Sequence, residues 1–551
     1  MLSLGTARPP ARVDRVRGSG GPWTVSTPSL GVQVSIAGDM LVLAYATDGA
    51  HGPAAQVLFL PVEWDDAGRC RLVESVRQAD AHEGTDFAAV YRRAAHPADP
   101  GHLAGPVRLL FRAAEWHRLA GPHEVLVLLL YPQVPRGEAA CESTWGGPEH
   151  LQVERFLAGA STGELRRGRV GAGLMPEDGP ALAVTFALGS CQYPGNLLDR
   201  TPADARLIGP ADASMCRLAG RLDEPDPPTL LVLAGDQIYA DDTAGLFDLP
   251  RDEERYRRAY EQRAASRGPQ ALAGRLVQQM LMDDHEIEAD WEFDDAAGRA
   301  RLQAARSAYW RWQRLGDPSP EPRALWTRLR HHGFDFFMGD CRSEREPRQA
   351  DGLAERQIMQ APQRDALYAW LLAVRGRPHF VATSCMLLPR KLATACQPLA
   401  ALHSDAWDGY PAALHGLLAH VCDHALNHTV FLSGDEHVGC VVRVHIARLG
   451  DDGGVLAEAT CHSVHTPALY APYPFANSLA EHFADDEEFE FSVPGDEGLR
   501  RYRCTVHTWR PAVGDGFVLL RVTRHAQGGW GVQASFDHAG GQEGHQIVLE
   551  A

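Results

Sequence analysis

The sequence lacks an excess of positive charge. Against 53 Lys and Arg stand 71 Asp and Glu, for a formal net charge of -18. A field of that sign repels polyanions, which excludes a nonspecific nucleic-acid platform or an anionic membrane surface as partner. An anionic substrate would need a local reversal of the field, and bound cations supply one. No run approaches about 18 apolar residues, so no membrane-spanning helix is expected. The stretch MLSLGTARPPARVDRVRGSGGPW has Arg and Pro but no apolar segment behind them, so no secretory signal is read and the cytoplasm is the expected compartment. A disulfide framework is missing as well. The 11 cysteines, an odd number scattered over 551 residues, read as mostly reduced thiols in a reducing compartment. No internal repeat is found.

What remains has the composition of an ordinary globular protein, 45% hydrophobic and 23% charged, in a chain longer than one core usually fills. Up to residue 178 short apolar or alternating runs, such as GVQVSIAGDMLVLAYA (31–46) and HEVLVLLLYPQV (123–134), are bounded by Gly, Pro and Asp. They predict an N-terminal β-rich, sandwich-like domain over 1–178. From 179 to 551 the texture is α/β. Continuous apolar strands such as ALAVTFALGSCQY (181–193) and PTLLVLAGDQIY (228–239) flank a stretch of helical spacing, as buried, largely parallel strands do. A charged, Arg- and Ala-rich helical insertion follows at 251–330, and the tail returns to β-strands.

Four places share one pattern, an apolar strand followed by ligand-type side chains. They are FALGSCQ (186–192), LVLAGDQIYADD (231–242), QMLMDDHEIEADW (279–291) and VFLSGDEH (430–437). Each alone has a plain structural reading. Cys191 suits a small buried hydrophobe, Asp283 and Asp284 suit a helix cap, and Gly-Asp suits a turn. Four in series at strand ends point instead to loops converging beyond the carboxyl edge of an α/β sheet. Carboxylates, a phenol and a thiol in such a place have the makings of a two-metal phosphoesterase, in which paired cations clamp a phosphoryl group and lower the pKa of a water. Asp236 is the natural bridging carboxylate, and Tyr239 could supply a phenolate.

These residues carry a resemblance to the alkaline phosphatase D (PhoD-like) family of metallophosphatases. The matching segments are Ser190-Cys191-Gln192, Gly235 to Asp241, Asp283-Asp284-His285-Glu286 with Asp290-Trp291, and Gly434-Asp435-Glu436-His437. FMGDCRSER (337–345) and RQIMQAPQRDALYAWL (356–371) extend the match, which spans about 181–480 in family order. The resemblance implies a metallophosphatase-type two-sheet β-sandwich flanked by helices, and hydrolysis of phosphomonoesters, phosphodiesters or both by metal-activated hydroxide. It implies Cys191, Tyr239 and His437 on a ferric ion, with Asp236 bridging. Asp284 and Asp435 would give the second ion an all-oxygen shell, which suits calcium or magnesium better than manganese or zinc. His285 follows a ligand directly and becomes the general acid or the donor that steadies the leaving oxygen. Arg342, with Arg345 behind it, becomes the phosphate clamp, because a guanidinium forks onto two oxygens. Asp340 would orient that clamp or join the second ion's shell. The implied partner is a small phosphoester.

The sequence departs from the family pattern at Met282, where an aromatic is frequent, and in having no twin-arginine leader. Two other functions compete. One is a thiol hydrolase with Cys191 as nucleophile, which leaves the acidic loops without a task. The other is a non-catalytic binding protein with an inactive phosphatase core. CHSVH (461–465) lacks the second ligand pair of a zinc site, although His465 is expected near the pocket mouth. The aromatic residues of YWRWQRL (309–315) are expected to pack.

Overall fold

The computed structural model describes residues 14–18, 21–37, 40–46, 56–73, 92–94, 106–132, 150–174, 183–194, 210–241, 252–292, 296–314, 324–472, 482–495, 498–511, 514–525 and 529–549. The expectations for Asp242 and for the boundary at 178/179 fall outside them. The chain divides into two compact units. One is Met1–Pro176 with Ala273–Val277 and Leu315–Asp317, and the other is Glu177–Leu272 with Gln278–Arg314 and Pro318–Ala551.

The first unit is built on antiparallel pairs. Gln56–Trp64 pairs with Glu124–Pro132, which pairs in turn with Gly21–Ser26. Val32–Ala37, Met40–Ala46 and Pro106–Arg112 form a second antiparallel set. Val57, Leu58, Phe59 and Leu60 are all buried, so the strand is covered on both faces, which accounts for its unbroken apolar run. Leu58 and Leu60 meet Phe156 and Leu157 of the helix His150–Gly159. Phe59 points the other way, its ring 5.0 Å from that of Phe111.

The second unit has two sheets. In one, β1 (Ala183–Gln192) runs parallel to β2 (Leu230–Leu233) and antiparallel to the tail strand Gly516–Arg524, with β3 (Val277–Met280) beyond β2. Helix α1 (Pro210–Arg221) connects β1 to β2, and α2 (Asp252–Ala265) opens the charged insertion. In the other sheet β4 (Phe334–Met338), β5 (His379–Ala382), β6 (Thr429–Ser433) and the long strand Val455–His465 are parallel neighbours in that order. The strands β2, β5 and β6 are buried at every position, so their apolar runs carry no alternation. The rings of Phe186 on β1, Phe336 on β4 and Phe380 on β5 meet at centroid distances of 4.8–5.2 Å, packing the two sheets against each other. Tyr309 of the YWRWQRL helix donates to the Met280 carbonyl at 2.8 Å and is fully buried, so this segment packs. No helix among the described residues is long and apolar enough to cross a membrane.

Phe380 sits at the centre of the aromatic contact between the sheets. Phe380→Ala should cost about 3–5 kcal/mol of stability, read as a lowered denaturant midpoint. A loss below about 1 kcal/mol would show that the sheets are held together elsewhere.

Candidate metal centre

The strands β1, β2, β3, β5 and β6 each end in a turn that carries a ligand-type residue. Backbone hydrogen bonds tie these turns together. The Cys191 and Gln192 amides donate to the Gly235 and Asp236 carbonyls at 3.2 and 2.8 Å, and the Gly434 amide donates to the Ser384 carbonyl at 3.0 Å. Two glycines permit the close approach. A Cβ on Gly235, whose φ is +97°, would lie 2.5 Å from the Asp283 Cβ, and one on Gly434 would lie 2.4 Å from the Ser190 Cβ. Among the described residues, eight non-glycines have positive φ. Four of those eight are Cys191 (55°), Asp236 (57°), Asp435 (83°) and His437 (56°). A left-handed backbone at such a residue costs on the order of 1–3 kcal/mol and persists only where the surroundings impose it.

The side chains form a buried acid cluster. Ligand atoms of Asp236, Asp283, Asp284 and Asp435 all lie within 4.8 Å of one another, as do those of Asp236, Asp284 and His285. A third group joins Asp283, Cys385 and Asp435. The Cys191 Sγ is 3.4 Å from Asp236 Oδ2 and 3.6 Å from the Asp435 carbonyl, which brings the thiol to the same place. Burial, then the neighbouring acids, pushes Asp236 and Asp435 well above the carboxylate range. Burial likewise raises Cys191 and Tyr239. Asp236 Oδ1, Asp283 Oδ2, Asp435 Oδ2 and the Tyr239 hydroxyl are buried without a hydrogen-bond partner. Native interiors seldom leave such atoms unmatched. Cations would match all four and favour the charged forms, so the donor set fits bound metal. His437 follows Asp435 by two residues and its charge bears on His465, but it is not among these tight groups.

Glu286 is the scaffold of the cluster. Its carboxylate accepts from the backbone amides of Asp236, Gln237, Ile238 and Asp283 at 2.8–3.3 Å and from the Gln313 side chain at 3.2 Å. Burial works against these donors and raises its pKa to about 7. One acid thus fixes two ligand turns. His285 points its Nδ1 at Asp241 Oδ1, 2.8 Å away, and Asp241 is itself held by the Ala289 amide at 2.7 Å. Burial alone would lower the pKa of His285, but Asp284 and Asp241 raise it to about 9. The Tyr239 ring lies against it, centroids 4.1 Å apart.

The two arginines expected to clamp phosphate are both engaged by protein groups. The Arg342 guanidinium is buried and donates to Asp283 Oδ1 at 2.7 Å and to both oxygens of Asp405 at 3.0 and 2.6 Å. Arg345 also grips Asp405 and reaches the Cys385 Sγ at 3.0 Å. The forks expected to take a phosphate here hold a carboxylate. Asp340 neither joins the acid cluster nor touches the guanidiniums. It accepts from the Arg342 and Ser343 amides at 3.1 and 2.8 Å and so shapes the turn that aims Arg342. Gln363 braces that turn through the Asp340 amide and carbonyl. His465 is fully buried, with Nδ1 2.6 Å from the Val438 carbonyl, and supports the Gly434 turn from behind instead of lining a pocket mouth. The structure adds Asp283, Asp241, Glu286, Cys385 and Asp405 to the site. Glu286 had a signal, since it stands three residues after Asp283 in capping-box spacing. Asp405, in an unremarkable Ser-Asp-Ala stretch, had none.

A mixed α/β fold with a cage of carboxylate oxygens and two thiols at the ends of its strands defines the class, an α/β scaffold with a donor set suited to metal. The model of the PhoD-like phosphatase family matches residues 217–509, and the chain belongs to that family of phosphoester hydrolases. A solved structure of PhoD covers 95% of this chain and 91% of that chain at a TM-score of 0.56 and 15% identity, a likeness that establishes the fold alone. No curated protein matches the chain.

Burial works against the charged form of Asp405, yet Arg342 and Arg345 hold its pKa well below the ordinary carboxylate value. A depressed folded pKa adds stability above the unfolded value of about 3.9, and that stability is lost as pH falls through the folded pKa. Asp405→Ala should therefore cost about 3–5 kcal/mol at neutral pH, with the difference from wild type shrinking below about pH 4. Urea unfolding across pH measures it. A difference independent of pH would rule out the carboxylate as its source.

Proposed function

We propose that the chain hydrolyses phosphomonoesters, phosphodiesters or both at a dinuclear metal centre in the second unit, carried on a metallophosphatase-type two-sheet sandwich. The acid cluster with its unmatched buried oxygens is the observation that carries this reading. Cys191, Tyr239 and His437 would hold an iron(III) ion. Asp284 and Asp435 would hold calcium or magnesium, with manganese or zinc as the other options, and Asp236 would be shared. When bound, the ions supply Lewis acidity toward the phosphoryl oxygens and lower the pKa of the attacking water.

The remaining work belongs to this chain's own groups. His285, oriented by Asp241, would protonate the leaving oxygen or steady it as a hydrogen-bond donor. Glu286 keeps the Asp236 and Asp283 turns from separating as charge develops. Arg342 and Arg345 would meet a phosphoryl group by exchanging Asp405 for it, or would steady Asp283 and Asp284 from behind. Asp340 sets the turn for either role.

The thiol-hydrolase reading gains nothing from this geometry. Cys191 is fully buried beside carboxylates and a carbonyl, and such neighbours disfavour a thiolate nucleophile in the absence of a cation.

Freshly purified protein should contain iron and absorb visible light through thiolate or phenolate charge transfer. Asp236→Asn should lose metal together with at least ~10²-fold of its turnover of p-nitrophenyl phosphate, and Cys191→Ser should lose or shift the absorption band. Full activity in a preparation shown by elemental analysis to be metal-free would refute the proposal.

A further inference from the structure

The turns that carry the acid cluster also form the wall of a second cavity. Gln192, one residue past Cys191, and Gln237, one past Asp236, line a space of about 100 Å³ together with Tyr193, Tyr239, Asp212 and Arg263. That is room for several waters or for one phosphoryl-sized group. Tyr239 is common to both places, since its ring also lies against His285.

Arg263 comes from α2, the opening helix of the charged insertion, which crosses the ligand turns. Tyr256 of the same helix donates to the Ile287 carbonyl at 3.1 Å. Arg263 is only 9% exposed, yet its Nε and Nη2 have no hydrogen-bond partner. The Gln237 Nε2 donor is likewise buried and unmatched, whereas the unmatched Gln237 and Gln192 Oε1 atoms are acceptors that a phosphoryl group meets only through a P–OH. Neighbouring acids do not account for them. Asp212 is committed to the Arg267 and Gly268 amides at 3.3 and 2.8 Å. Glu286, whose charge bears on Arg263, is already engaged by four backbone amides and Gln313. Among the described side chains of this cavity, Arg263 is the cation with donors to spare. A desolvated guanidinium beside a free amide donor is the chemistry that recognises an oxyanion.

We propose that this cavity is an anion subsite that takes a phosphoryl group, bound by Arg263 and the Gln237 amide. The group is either a second phosphate on the substrate, next to the one being cleaved, or free inorganic phosphate. This rests on the phosphoesterase reading and deepens it, because it gives the charged insertion a part in substrate choice.

The test follows p-nitrophenyl phosphate turnover by the holoprotein. If the wild type fails to turn it over, the phosphoesterase reading itself has failed, independently of the subsite. With turnover in hand, inorganic pyrophosphate and inorganic phosphate are compared as inhibitors. Pyrophosphate should compete at least tenfold more tightly than phosphate, and Arg263→Met should reduce that ratio by about tenfold or more, with Arg263→Lys in between. That result assigns the cavity to a second substrate phosphate. A noncompetitive phosphate phase that disappears in Arg263→Met assigns it to free phosphate. An unchanged ratio with no such phase means that the cavity holds only water, and the proposal falls. Should the variants fail to fold, a wild-type crystal soaked in tungstate decides. Density at Arg263 supports the subsite and its absence overturns it.

Discussion

Four largely buried carboxylates with ligand atoms inside 4.8 Å repel one another, and the architecture of the second unit answers that repulsion. Left alone, such acids would take up protons or move apart. Here they are held by turns whose backbones are themselves strained, at Cys191, Asp236, Asp435 and His437. Strain of this kind survives only when many bonds agree on it. Glu286 supplies several of them at once, as do the backbone bonds from one strand end to the next. The cage is therefore set by the fold before any cation arrives, which is the condition for high affinity at a site of hard oxygens.

A second layer of charge lies behind the first. Arg342, Arg345 and Asp405 form a buried network in which each guanidinium has at least two acceptors, and Arg342 reaches on to Asp283 and Asp284. Buried ion pairs of this type are weak evidence for stability, since desolvation offsets much of the attraction. Their use here is directional. The arginines favour the charged form of Asp283, against burial and the neighbouring acids, and Asp405 holds both guanidiniums in place. The chain's overall charge is negative, so this local concentration of cations matters for any anion that is to approach.

The helical insertion connects scaffold and selectivity. Tyr256 and Arg263 of α2 and Tyr309 further along pack onto the ligand turns and onto β3, so the insertion is part of the site's wall and not an appendage. Its contacts to the acid cluster run through the Tyr256 and Tyr309 hydroxyls on the Ile287 and Met280 carbonyls and through the Gln313 amide on Glu286.

Much of this was legible along the chain. Continuous apolar runs marked the buried strands, because strands covered on both faces need no alternation. Ligand-type residues after each run marked the turns, because an α/β sheet brings the carboxyl ends of its strands together. Chemical identity is local, so Asp236 could be named from residue type and place, and Cys191, Asp284 and Asp435 from the family resemblance that their motifs carry. Direction and partnership are not local. Asp340 and Arg342 sit two residues apart, yet only the folded chain turns one into its own loop and the other onto Asp283 and Asp405. Asp405 lies some 60 residues from the arginines it binds and has no flanking pattern to announce it. Glu286 looked like the end of a cap, and only the approach of the β2 turn made it the acceptor of four backbone amides. The sequence determined which atoms are available for chemistry, and the tertiary structure decided which of them meet, because burial and distance are properties of the assembled chain.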